Sequence, residues 1–249
     1  MINRAILVAT ASLIAAPAAL GEDGWTGEGS FSAGYTTGNT ETSDLGLALK
    51  LNREQGLWTY TGEAAADYGE TDSVETKNRY RLAAEADRQL GDKLFGFART
   101  SYEQDEFSGF DSRFFAGVGL GYPLIETERT NWSVQGGPGI KIDEVRQTVR
   151  MVNGVPTVIP ASTEQSFSVI GSSAFSHDVN EAVKVSNNTE IIYAQESTQV
   201  GNIIALTAAL TDTFSARFSF DVRHDTNPPA GFEPTDTVTR ASLVYAFGN

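Results

Sequence analysis

Apolar and polar residues alternate along this chain with a period of two, in one segment after another. Between Asp44 and Asn52, Leu45, Leu47, Leu49 and Leu51 alternate with Gly46, Ala48, Lys50 and Asn52. That spacing puts the leucines on one face of an extended strand and gives no helical stripe. The stretch from Thr237 to Phe247 has the same form, with Leu243, Tyr245 and Phe247 on one face and Ser242, Val244 and Ala246 on the other. A strand in this last position needs partners on both edges, or it becomes a template for aggregation. A closed barrel supplies both by pairing the last strand with the first.

The same period predicts strands at Trp25 to Tyr35, Leu57 to Tyr68, Asn78 to Leu90, Lys93 to Tyr102, Arg113 to Tyr122 and Asn131 to Ile142. Further strands are predicted at Ser166 to Phe175, Val183 to Gln195, Asn202 to Leu210 and Phe214 to Arg223, which makes twelve in all, with ten or fourteen as the neighbouring counts. Each is about ten residues long, the reach a tilted strand needs to cross a hydrocarbon layer. Aromatics at strand tips, such as Trp58, Tyr60, Tyr68 and Tyr80, match the interfacial girdles of a membrane barrel. Phe95 and Phe97 share a parity with Arg99, and Arg99 is assigned to the interior. Pro138 lies within a predicted strand and removes a ladder donor, so a bulge is expected there.

The connections give a second line of argument. Long ones, such as Thr36 to Thr42, Gly69 to Lys77, Glu103 to Ser112 and Asp143 to Gln165, alternate with short ones such as Arg53 to Gly56 and Gly91-Asp92. Long loops on one side and short turns on the other is the sidedness of an outer-membrane barrel. A soluble sandwich has strands of about five or six residues and no reason for such alternation. The expected fold is therefore all-β: a transmembrane, antiparallel, up-and-down β-barrel in the outer membrane of a Gram-negative bacterium.

Composition narrows the function. The chain of 249 residues has no run of apolar residues near the ~20 a spanning helix requires. With 18 Lys plus Arg against 32 Asp plus Glu, the net charge is −14, which argues against nucleic acid as a partner. The absence of cysteine removes disulfide scaffolds, thiolate metal sites and thiol nucleophiles. Arg4, the apolar stretch Ala5 to Ala16 and the small residues Ala16-Pro17-Ala18-Ala19 read as a cleaved signal peptide over residues 1–20, leaving 21–249 as one barrel domain.

The mature chain resembles the family of salt-induced outer-membrane proteins, a bacterial domain of unknown function (481). The resemblance rests on Tyr102-Glu103-Gln104-Asp105-Glu106-Phe107, then Arg113, then Gly117-Val118-Gly119-Leu120-Gly121-Tyr122. The closing Asp236-Thr237 and Leu243-Val244-Tyr245-Ala246-Phe247 support it. It implies location and fold, and brings no substrate or catalytic residue. The aromatic Phe247 also resembles the signal read by the β-barrel assembly machinery, although Gly248 and Asn249 follow it.

Candidate chemistry lies in the interior charges, because a charge facing inward must be paired or hydrated. By parity these are Glu63, Arg79, Arg81, Glu85, Arg99, Lys141, Glu190, Arg217 and Asp221, with Glu28, Lys50, Asp67, Asp87, Lys184 and Arg223 beside them. The mixture of signs fits either a ladder of ion pairs filling a narrow barrel or a weakly selective watery pore. The inward glycines Gly117, Gly119, Gly121, Gly137 and Gly139 could widen the lumen or receive an arginine or aromatic from opposite. Of the two histidines, His224 stands between Arg223 and Asp225 near Asp221 and could serve a surface hydrolase, but ordinary turn chemistry explains it better. His177 falls at a short turn. Acidic loops, with Glu70, Asp72 and Glu75, then Glu103, Asp105, Glu106 and Asp111, then Glu126 and Glu128, show no calcium-loop pattern and read as a solvated rim. The expectation is a narrow channel for small polar solutes or ions, without cofactor or metal. A closed barrel acting through its loops under osmotic stress is the alternative. Expected partners are outer-membrane lipid, lipopolysaccharide and the assembly machinery, with a monomer as the default.

Overall fold

The computed structural model describes residues 24–37, 42–71, 74–152 and 155–248. The predicted signal peptide and Asp72 lie outside them. Among the described residues there are fourteen strands and no helix. Twelve form one closed antiparallel barrel: β1(Trp25–Thr37), β2(Thr42–Gln55), β3(Trp58–Thr71), β4(Val74–Gln89), β5(Phe95–Asp105), β6(Phe110–Glu126), β7(Thr130–Val145), β10(Ser162–Asp178), β11(Val183–Ala194), β12(Thr198–Ala209), β13(Phe214–Asp225) and β14(Thr235–Phe247). Every neighbour pair is a sequential hairpin except the closure, where β14 returns to β1 with Gly27 opposite Phe247 and Thr37 opposite Thr237. Closure leaves the barrel no free edge.

The alternation decides which way each side chain points. Leu45, Leu47, Leu82, Val118, Leu120, Ile204, Leu206, Phe218 and Leu243 are all exposed on the outer surface. Their odd–even neighbours point inward, and an apolar exterior around a polar interior is what a barrel in hydrocarbon requires. A small apolar core, Phe97, Phe115, Ile170 and Ile192, is buried inside against the β5 to β11 wall. The inward glycines make room for it. A Cβ on Gly119 would lie 2.6 Å from the Phe97 ring, one on Gly117 2.7 Å from the Phe115 ring, and one on Gly121 2.1 Å from the Phe95 ring. These glycines thus receive aromatics and do not widen the lumen.

Three expectations change. The strands run 11 to 17 residues, longer than the predicted ten, because polar residues continue the ladder past the apolar belt. Most of the predicted long loops shrink accordingly: Glu103 to Ser112 becomes a connection of residues 106–109, and only 146–161 and 226–234 remain long. The first of these is not plain loop, since it contains β8(Thr148–Val152) and β9(Val155–Ile159), a separate two-stranded hairpin. Finally, no bulge occurs at Pro138. Gly117 lies opposite Gly139 and Leu120 opposite Gly136, so the β6–β7 register is the same on both sides of it. A Cβ on Gly137 would sit 2.0 Å from the Val118 carbonyl oxygen. The two backbones close together around the proline, and no extra residue is inserted. Register shifts fall elsewhere, at Gly69/Glu70, Phe110/Ser112 and Pro123/Ile125.

The chain therefore has two rims. The turn rim carries Trp25, Phe247 and connections of two to five residues, and the loop rim carries the β8–β9 hairpin and residues 226–234.

Candidate functional site

The lumen is built from the inward parity of each strand. At the turn-rim third, Arg217 on β13 holds Glu28 on β1 through two nitrogens, at 2.7 and 2.8 Å, and donates to Thr207 on β12 at 3.1 Å. Lys50 on β2 lies 3.5 Å from Glu63 on β3, and both side chains remain accessible, at 46% and 40%. The Lys50–Glu63 pair is the more accessible of the two, and Arg217 and Glu28 are part-buried.

At mid-height Arg99 on β5 binds Glu85 on β4 at 3.1 Å and Glu190 on β11 at 2.7 Å. Arg81 on β4 approaches the same Glu190 at 3.7 Å, and Gln135 donates to Glu85 at 3.2 Å. Since β4 and β5 lie five and four positions from β11 around the ring, these contacts cross the lumen. Asp87, one inward step below Glu85, keeps a buried carboxylate oxygen with no hydrogen-bond partner among the described residues.

Toward the loop rim the charges are denser, and Arg79, Asp67, Lys141, Asp143 and Asp221 among them are nearly inaccessible. Arg79 meets Asp67 at 3.5 Å, with side chains only 6% and 9% accessible, and also pairs with Glu103. Arg240 on β14 reaches Asp67 at 3.0 Å and Asp221 at 3.7 Å, and Arg223 joins Asp221 at 2.9 Å. On the other side Arg113 on β6 crosses to Asp225 on β13 at 2.9 Å. Lys141 pairs with Asp143 at 2.8 Å, both about 5% accessible, and donates to Ser197, whose hydroxyl donates to Asp225 at 2.6 Å. Gln199, in its preferred amide orientation, accepts from both Arg113 and Lys141. Cations and anions alternate here, and the low dielectric strengthens the pairs they make, while Arg79 Nε, Arg113 Nε and Asp143 Oδ1 keep no hydrogen-bond partner among the described residues.

All nine interior candidates, Glu63, Arg79, Arg81, Glu85, Arg99, Lys141, Glu190, Arg217 and Asp221, carry ion pairs in this lumen. Sequence reasoning missed Glu103, Arg113, Asp143, Asp225 and Arg240. Glu103, Asp143 and Asp225 read as loop residues, and each shares the parity of an inward residue two positions earlier or further back in its strand. Following that parity one more step would have found them. An internal space of about 500 Å³ remains among these side chains.

The histidines do not form a catalytic pair. His224 Nδ1 shares a hydrogen bond of 2.8 Å with Thr235 Oγ1, and strand parity turns it away from Asp221 and Asp225, which are taken by Arg and Ser. His177 shares one of 2.8 Å with Thr130. Among the described residues no group of three or more His, Asp or Glu is arranged to hold a metal ion. At the loop rim the Ser166 hydroxyl donates to Glu196 and holds that carboxyl below its usual range.

A closed twelve-stranded barrel, apolar outside and lined by ion pairs inside, has the architecture of an outer-membrane barrel. The chain belongs to the family described as protein of unknown function DUF481, whose model matches residues 29–247. A curated relative is an uncharacterized protein of Escherichia coli strain K12, YdiY, 22% identical over 224 residues, which span 88% of this chain and 82% of that one. Among solved structures, the NanC porin superimposes with a TM-score of 0.55 at 13% identity, covering 87% of this chain and 98% of that one. The translocator domain of the autotransporter NalP from Neisseria meningitidis does so with 0.51 at 12%, covering 89% and 88%. At these identities the likeness is one of fold.

Proposed function

We propose that the protein is a narrow outer-membrane channel for small polar solutes or ions, not an enzyme. In this reading the signal peptide is removed on export, the assembly machinery inserts the barrel, lipid and lipopolysaccharide surround it, and the turn rim faces the periplasm. The observation that supports it is the uneven accessibility of the interior. Lys50 and Glu63 stand in open space, whereas Arg79, Asp67, Lys141 and Asp143 are nearly dry. The lumen is then a periplasmic vestibule ending in a septum of ion pairs near the extracellular side. A small charged solute passes by exchanging partners with the septum, since each of its arginines and carboxylates already alternates with an opposite charge.

Single-channel recording in planar bilayers tests this, on protein shown by heat-modified gel mobility to be folded. Discrete steps are expected, with ion preference changed by Arg81→Gln and conductance raised by Arg113→Gln, which cuts the strap to Asp225. Silence from verified barrels, wild type and Arg113→Gln alike, would remove the channel reading. It would favour the second one, a closed envelope barrel acting through its loop-rim hairpin, for which the dryness of the septum is the supporting observation.

A further inference from the structure

The outer surface is largely apolar between its aromatic ends, and the cluster of outward polar side chains on β11 and β12 is one that the lumen reading does not use. On β11 the outward positions are the odd ones, as the exposed Ile191 and Tyr193 show against the buried Ile192 and Ala194. Asn187 and Thr189 are therefore outward. They are the fifth and seventh residues of a twelve-residue strand, far from either rim. Asn202, fifth of twelve on β12, is outward with Ile204 and Leu206 and lies directly opposite Thr189.

These three side chains close a ring of hydrogen bonds. Asn187 Nδ2 donates to Asn202 Oδ1 at 3.2 Å, Asn202 Nδ2 donates to Thr189 Oγ1 at 2.7 Å, and Thr189 Oγ1 donates to Asn187 Oδ1 at 3.3 Å. Each amide has two N–H donors, so the ring uses one from each asparagine. The second N–H of each has no partner among the described residues, and the ring's oxygens keep spare lone pairs. In water this would be unremarkable. At the middle of a hydrocarbon layer, unsatisfied donors are costly, and polar groups there mark contacts between protein surfaces.

We propose that the β10–β12 face is the interface of a homodimer, with a second copy of this chain completing the hydrogen bonds of the Asn187–Thr189–Asn202 ring. The inference rests on the membrane location proposed above. Acyl chains offer no acceptor, and headgroups lie at the rims. A second copy related by a two-fold axis along the membrane normal carries the same groups at the same depth. The ring offers both donors and acceptors, so it complements itself. Gly171, whose added Cβ would meet nothing within 4 Å, leaves a flat approach beside it, and Ile191, Ile204 and Leu206 supply the apolar surround.

The chain has no cysteine, so one introduced thiol reports a single position. Oxidative cross-linking in isolated outer membranes would compare Ile204→Cys, beside the ring, with Leu47→Cys on β2 across the barrel. Both leave the ring intact. The expected result is a species of twice the mass from Ile204→Cys at several-fold the yield from Leu47→Cys. Adding Asn187→Leu and Asn202→Leu to Ile204→Cys should return the yield to the Leu47→Cys level while heat-modified mobility shows the barrel still folded. Equal yields from the two positions, persistence of the product without the ring, or a product of some other mass would each overturn the dimer. Loss of the protein from the outer-membrane fraction is read separately, before cross-linking, and would overturn the membrane reading together with the dimer.

Discussion

Gly137 and Gly171 are both glycines in the wall, yet their neighbourhoods predict opposite outcomes. A methyl group on Gly137 would meet the Val118 carbonyl oxygen at 2.0 Å and force β6 and β7 apart, whereas Gly171 has open space. Gly137→Ala should destabilise the barrel by about 1–3 kcal/mol, as overpacking does, and Gly171→Ala should stay within about 0.5 kcal/mol. Urea unfolding in lipid vesicles checks both. In the same assay Lys141→Met should cost about 3–5 kcal/mol, because it strands the buried Asp143 carboxylate, itself only 4% accessible. At this scale the sequence showed that Gly117, Gly119 and Gly121 point inward. It could not show that Phe95 and Phe97 fill the space over Gly121 and Gly119, because which glycines those rings stand opposite depends on the register between β5 and β6. Parity along one strand identifies a lumen charge, but its partner is fixed by strands that are distant in the chain, as for Arg113 and Asp225.

Among the elements, the β8–β9 hairpin stands apart from the barrel sheet, and its pairs, Thr148 to Ile159 and Val152 to Val155, involve no barrel strand. Arg146, just before it, is tied back to Asp111 at 2.7 Å. Replacing residues 148–159 by a short polar turn should therefore leave the barrel folded, with unchanged heat-modified mobility. Loss of the folded band would show that the hairpin is needed for assembly. The strands themselves were legible because a two-residue period over about ten residues has no helical equivalent. Their ends were not, because the ladder continues into polar sequence, where hydropathy no longer marks it. Glu103 and Asp143 were misplaced for that reason. Pro138 misled for another: its local rule holds, but Gly137 and Gly139 on either side let the strands close without an inserted residue.

For the whole molecule, closure is the condition on which everything else depends. Removing β14 from Thr235 onward would bare the edges of β1 and β13 together, so such a truncation should yield aggregate and no heat-modifiable species. Twelve strands and their up-and-down order followed from the sequence, and the closing pair was anticipated from the final strand. The contrast between accessible charges such as Lys50 and Glu63 and nearly inaccessible ones such as Arg79 and Asp67 did not follow, because it depends on how deeply arginines from opposite walls interpenetrate.

The straps across the lumen have a mechanical consequence. Arg113 to Asp225 and Arg99 to Glu190 join strands five and four places apart around the ring, and Arg240 to Asp67 joins two others. A hoop held only along its circumference turns oval when squeezed from one side, whereas a hoop with spokes keeps its roundness until a spoke breaks. Uneven lateral pressure from the surrounding lipid would load these spokes first, so the roundness of the barrel is governed by a few charged side chains as well as by the stiffness of the sheet.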